Sequence, residues 1–98
     1  MNNKEDKKPL FLLGRTTATR GALDVLQRAE VHLRQLLDRH RCGDWGELSA
    51  EDRAANEQAV TDGARVFSAY VVGPNDERVW VISEADRSST TILLPFEY

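Results

Sequence analysis

Apolar residues recur at three- and four-residue steps through the first half of the chain and alternate at two-residue steps through the second. In GALDVLQRAEVHLRQLLDRHR, Leu23, Leu26, Ala29, Leu33, Leu36, Leu37 and His40 fall on one helical stripe. That spacing fits one helix or two short ones with a bend near Glu30. Thr17 or Thr19 offers the N-cap, and Gly43 stands where a helix closes in the left-handed conformation. A further helix is predicted over SAEDRAANEQAVTDG, capped by Ser49 with Asp52 three residues on and ended by Gly63. Its apolar face is thin, only Ala54 or Ala55, Ala59 and Val60, which places it on the rim of the core. After Gly63 the period changes. ARVFSAYVV puts Val66, Ser68, Tyr70 and Val72 on one face and Phe67, Ala69 and Val71 on the other. RVWVIS and TTILL follow, separated by the turns GPNDE and EADRSS, which makes an antiparallel meander. Ahead of the helices, LFLLGRTTAT reads as a first strand, irregular at Gly14. The order is β-α-α-β-β-β, an α+β fold with helices packed on one face of a small antiparallel sheet.

Length and charge narrow the picture further. The 98 residues suffice for one domain over residues 9–98, and the polar MNNKEDKK of residues 1–8 predicts a disordered tail. No apolar run approaches the roughly 20 residues that span a bilayer, and PLFLLG is too short for the apolar region of a secretion signal. A single cysteine, Cys42, cannot build an internal disulfide framework, so a cytoplasmic protein with no membrane partner is expected. The three lysines all lie in the first eight residues. From Pro9 onward ten arginines face fourteen carboxylates, a balance of −4, so a nucleic-acid partner is not expected.

Candidate chemistry concentrates in RHRCGDWGELSAED. His40, Cys42 and Asp44 at a helix end could hold a metal, but a structural zinc site needs four ligands and the chain has one cysteine and two histidines. The simpler expectation has His40 facing the last carbonyls of its helix and Cys42 filling space beside Gly43. Asp44, Glu47, Glu51 and Asp52 could converge on Mg²⁺ as in a nuclease. Capping explains them as well: Glu51 and Asp52 fall in the first turn of a helix opening at Ser49, Asp44 followed by Glu47 is itself a cap pattern, and Trp45 staples the connection to the core. Ser83, Ser88 and Ser89 lie in no nucleophile-elbow pattern. Arg87, beside Asp86 at a turn tip, could offer its planar fork to a phosphate or carboxylate, or pair with Asp86 or Glu84. Arg53, Asn56 and Glu57 are expected to be solvated. No glycine-rich phosphate loop is present, and no cofactor is expected.

Three stretches carry a family resemblance: His40 followed by Gly43-Asp44-Trp45-Gly46, the Ser68-Ala69-Tyr70 strand, and the run from Glu84-Ala85-Asp86-Arg87-Ser88 to Leu93-Leu94-Pro95 and Glu97-Tyr98. They resemble a family of small bacterial proteins encoded on plasmids, integrative elements and chromosomal islands, sometimes labelled type I restriction subunits. The resemblance covers nearly the whole chain after Pro9, with Phe96 standing where another acid would be expected. It implies carriage by a mobile element and names no reaction; 98 residues hold neither a methyltransferase nor a motor domain.

The expectation is a non-enzymatic accessory or interaction protein of a mobile element, in counter-defence or regulation. Its partner would be a host or element-encoded protein, met by a surface from the Gly43–Gly46 connection and the Asp86–Ser89 turn. The expected binding residues are His40, Asp44, Trp45, Asp86, Arg87 and Ser88, types enriched at hot spots and polar sites near element ends. No catalytic residue and no metal belong to this reading. The alternative is a small metal-dependent hydrolase or nuclease using His40, Asp44 and Glu47. A thin second helix and exposed sheet edges also suggest a homodimer.

Overall fold

The computed structural model describes residues 8–98. The expected tail, Lys8 apart, lies outside the described residues. The order is β1 (Arg15–Ala18), α1 (Arg20–Ala29), α2 (Leu33–Arg41), α3 (Ala50–Asp62), β2 (Val66–Val72), β3 (Glu77–Ser83), β4 (Ser89–Leu93) and a closing 3-10 turn, Pro95–Glu97. The class is α+β, with three helices instead of two. The long stripe breaks at Glu30, whose φ of 59° directs the chain out of the helix. His32 then restarts it: its Nδ1 accepts from the Arg34 N–H, and Gln35 Oε1 accepts from the His32 N–H. Thr19 caps α1 and Ser49 caps α3.

The sheet is mixed, which corrects the all-antiparallel expectation. Its order is β1-β4-β3-β2, and β1 runs parallel to β4 with Arg15 beside Ser89 and Ala18 beside Ile92. β2, β3 and β4 do form the antiparallel meander. Residue alternation fixes which face a side chain takes; it carries no information on the direction of a distant neighbour. Three helices take the chain from one edge strand to the other.

The helix side of the sheet holds the core, where Ala22, Val25, Leu26, Leu36 and Leu37 pack on Tyr70, Val72, Val79, Val81, Ile92 and Leu94. A second cluster joins Trp45, Ala59 and Val66, with Phe11, Leu48 and Val60 against it. On α3 the buried residues are Asn56 and Ala59, while Ala54 and Ala55 face solvent. Among the described residues, no α-helix packs on the opposite sheet face. Phe67 and Trp80 contact there edge to face with ring centroids 5.0 Å apart, and Trp80 and Tyr98 do so at 5.9 Å.

Candidate functional site

The connection between α2 and α3 is a joint built on the rim of β2. Asp44 reaches back to Arg39 with 2.7 Å and 3.3 Å hydrogen bonds and also accepts from the Gly46 N–H. Trp45, 2% exposed, drops into the second cluster and donates its indole N–H to Glu57. The next residues pair with the strand edge: the Ala69 N–H donates to the Trp45 carbonyl, and the Glu47 N–H donates to the Ala69 carbonyl. Gly46 lies against that carbonyl at φ 78°, and a Cβ there would stand 2.0 Å from the oxygen. Only glycine fits. Asp44 and Glu47 do not cap α3; Ser49 alone does so through the Asp52 N–H.

His40 turns away from the helix end. It is 0% exposed, and its imidazole lies between two hydroxyls, with Nδ1 2.6 Å from Ser68 Oγ and Nε2 2.9 Å from Ser83 Oγ. Ser83 Oγ in turn lies 2.6 Å from Thr90 Oγ1, which donates to the Leu13 carbonyl at 2.7 Å. A carbonyl can only accept, so the Thr90 proton is committed there. The Ser83 proton then fills the contact with Thr90. Ser83 Oγ accepts from Nε2–H, and Nδ1 accepts from Ser68. One proton arrangement thus makes all four contacts, and it assigns His40 the neutral Nε2–H tautomer. Burial pushes the His40 pKa down to about 3, and the positive charge of Arg87 adds to the effect. Phe11 and Trp45 close over the ring edge to face, at 5.2 and 6.0 Å.

Arg87 is tied down as well. Its guanidinium donates to the carbonyls of Ala64, Glu84 and Ala59, the last in the final turn of α3, and its Cζ stands 5.1 Å over the Phe11 ring. It therefore holds the end of α3 to the β3–β4 turn. The Ser88 hydroxyl, and after it the Ser88 N–H, keeps the Asp86 carboxyl below the usual range, and the Ser88 carbonyl accepts from the Arg15 N–H.

The expected binding residues thus divide. His40, Trp45 and Arg87 converge around Phe11, the first two buried and Arg87 half-buried. Asp44, Asp86 and Ser88 are exposed but serve turns. Both His40 nitrogens are engaged by hydroxyls, and among the described residues no three His, Cys, Asp or Glu side chains group as metal ligands. His40, Asp44 and Glu47 therefore do not group as ligands for one ion.

Of the three residues expected to be solvated, Arg53 and Glu57 are exposed and Asn56 is buried, and all three bond to the joint or the strand beside it. The Asn56 side chain mimics a neighbouring strand, donating to the Phe67 carbonyl at 2.6 Å and accepting from the Phe67 N–H at 3.1 Å. Glu57 receives the Trp45 indole, and Arg53 donates to the carbonyls of Gly46 and Leu48. Their spacing on α3 carries no signal for this, because each partner comes from another element. The helix-free face is legible in the odd-numbered alternation of 67–71. A cavity of about 330 Å³ opens on it between Arg65, Phe67, Trp80, Ile82 and Tyr98, where Arg65 donates to the Tyr98 hydroxyl.

No protein-family model, curated protein or solved structure matches the chain.

Proposed function

We propose that the chain is a non-enzymatic accessory or interaction protein of a bacterial mobile element, acting through the helix-free face of its sheet. The observation that carries this reading is a contrast. The cluster with reactive side chains, His40 with Ser68, Ser83 and Thr90, is sealed from solvent, whereas the other sheet face carries no helix among the described residues and offers half-buried Phe67 and Trp80 beside an exposed Tyr98. By strand register that face presents Arg15, Thr17, Phe67, Ala69, Val71, Arg78, Trp80, Ile82, Ser89, Thr91 and Leu93, with no carboxylate among these strand positions. In a chain of net charge −3 this is a local reversal of sign. It fits a protein partner that sets carboxylates around an apolar anchor, and the opposed charges speed encounter and fix orientation. Two arginines on the strands are too few for a polyphosphate ligand, whose neutralisation takes a denser basic surface.

The test is capture of host and element proteins by the wild-type chain, Arg78→Glu and Tyr98→Ala, each at low and high salt. The reading expects one retained species whose binding weakens with salt and is lost in Arg78→Glu, with Tyr98→Ala also reduced. The same species retained equally by all three chains would remove this face from the function.

A further inference from the structure

The two edges of the sheet are finished differently. On β2 the outward backbone is occupied, at Phe67 by the Asn56 amide and at Ala69 by the Trp45–Glu47 segment. On β1 it is open. The Arg15 N–H donates to Ser88 and the Thr19 N–H to Ile92, so the odd-numbered backbone groups face β4. The N–H and C=O groups of Thr16 and Ala18 therefore point away from the sheet, on a strand whose first three residues are exposed. Beside this edge lies a cavity of about 200 Å³, lined by Thr16, Ala18, Leu23, Leu33, Leu37 and Ile92. Leu23 is 44% exposed, on the only α1 turn that borders it. An unguarded edge next to an exposed leucine is the combination that folded proteins ordinarily suppress.

We propose that this edge docks a second copy of the chain, β1 against β1, antiparallel about a two-fold axis through Thr17 and perpendicular to the sheet. Only residues of equal parity can oppose each other without exchanging faces. With Thr17 opposite Thr17, Thr16 of each copy exchanges both backbone hydrogen bonds with Ala18 of the other. The outward groups of both residues are satisfied in both copies. Arg15 then opposes Thr19, so no like charges meet, and the threonine pairs are favourable cross-strand neighbours. The edge is self-complementary, as an isologous interface requires. The joined sheet has eight strands, the four of each copy, and both leucine-lined cavities lie on its helix side. This inference is independent of the helix-free face.

Sedimentation velocity of the full chain across a wide concentration range tests it, with three variants. Thr16→Pro deletes an outward N–H without touching the β1–β4 ladder. Leu23→Glu charges the apolar border and leaves the strand intact, so it reports even where the proline perturbs folding. Arg78→Glu alters only the helix-free face. The wild type is expected to be a reversible dimer, weakened at least about tenfold by Thr16→Pro and by Leu23→Glu and unchanged by Arg78→Glu. A wild type monomeric throughout, a dimer indifferent to Thr16→Pro and Leu23→Glu, or one lost only in Arg78→Glu would overturn the proposal.

Discussion

Protonating His40 in the folded chain would place two N–H donors between two hydroxyls already ordered to serve a neutral ring, in a site closed by Phe11 and Trp45. The folded pKa of about 3 lies below the ordinary value of 6.5 because burial disfavours the charge. The sign follows directly. As pH falls below 6.5 the unfolded chain takes up a proton that the folded chain refuses, so stability present above that pH is lost on the way down to about 3. The slope approaches roughly 1.4 kcal/mol per pH unit, and between pH 7.5 and 5.5 it amounts to about 1.4 kcal/mol in all. Urea unfolding at those two pH values should show the loss in the wild type and its absence in His40→Ala. The variant should also be weaker by about 3 kcal/mol at neutral pH, since Ser68 and Ser83 lose their partner and a cavity opens. Equal pH dependence in both chains would refute the assignment. None of this was legible in the sequence beyond His40 lying on an apolar stripe. Its partners stand 28 and 43 residues away, in strands where a serine between apolar neighbours reads as an ordinary polar interruption.

At the scale of elements, the caps were readable because their chemistry is local. Ser49, Thr19, Gly63 and the break at Glu30 all act within a few residues of themselves. The strand faces followed from alternation for the same reason. The edges did not, because an edge is defined by what lies beside it. Asn56 shows the difference: on its own helix it is one more polar residue, yet it substitutes for a missing strand at Phe67. The Phe67 amide faces away from β3, so the Asn56 carbonyl oxygen is its guard. Asn56→Ala should cost about 2 kcal/mol, the desolvation of an N–H and a C=O left without partners. It should also speed hydrogen exchange at Phe67 while the inward Ser68 amide keeps its protection. Unchanged exchange at Phe67 would show that something else shields the edge.

Across the whole molecule, residues 40–46, 68–70 and 84–98, far apart in sequence, are tied together across the fold, the first two of them at the joint. Ser68 bonds His40, the Ala69 backbone pairs with Trp45 and Glu47, and the Tyr70 hydroxyl donates to the Asp44 carbonyl at 2.6 Å. From the third stretch, Arg87 grips α3, and Glu97 accepts from Thr19 at the start of α1. The segment before β1 enters the same assembly through Phe11 and the Leu13 carbonyl. With α2, α3, β2, β3 and β4 linked through hydrogen bonds around this centre and α1 packed on the same core, the protein should unfold as a unit and not layer by layer. Its two tryptophans make this measurable, since Trp45 sits in the joint and Trp80 on the opposite, helix-free face. Trp80→Phe leaves Trp45 as the reporter and Trp45→Phe leaves Trp80. Within each variant, the urea midpoints from fluorescence and far-ultraviolet circular dichroism should coincide. The Trp45→Phe midpoint should lie lower, because that change also removes the indole bond to Glu57. If Trp80 fluorescence instead changed at a different urea concentration from the circular dichroism, the helix-free face would be an independently melting layer, and the buried centre would organise only the half of the protein that touches it.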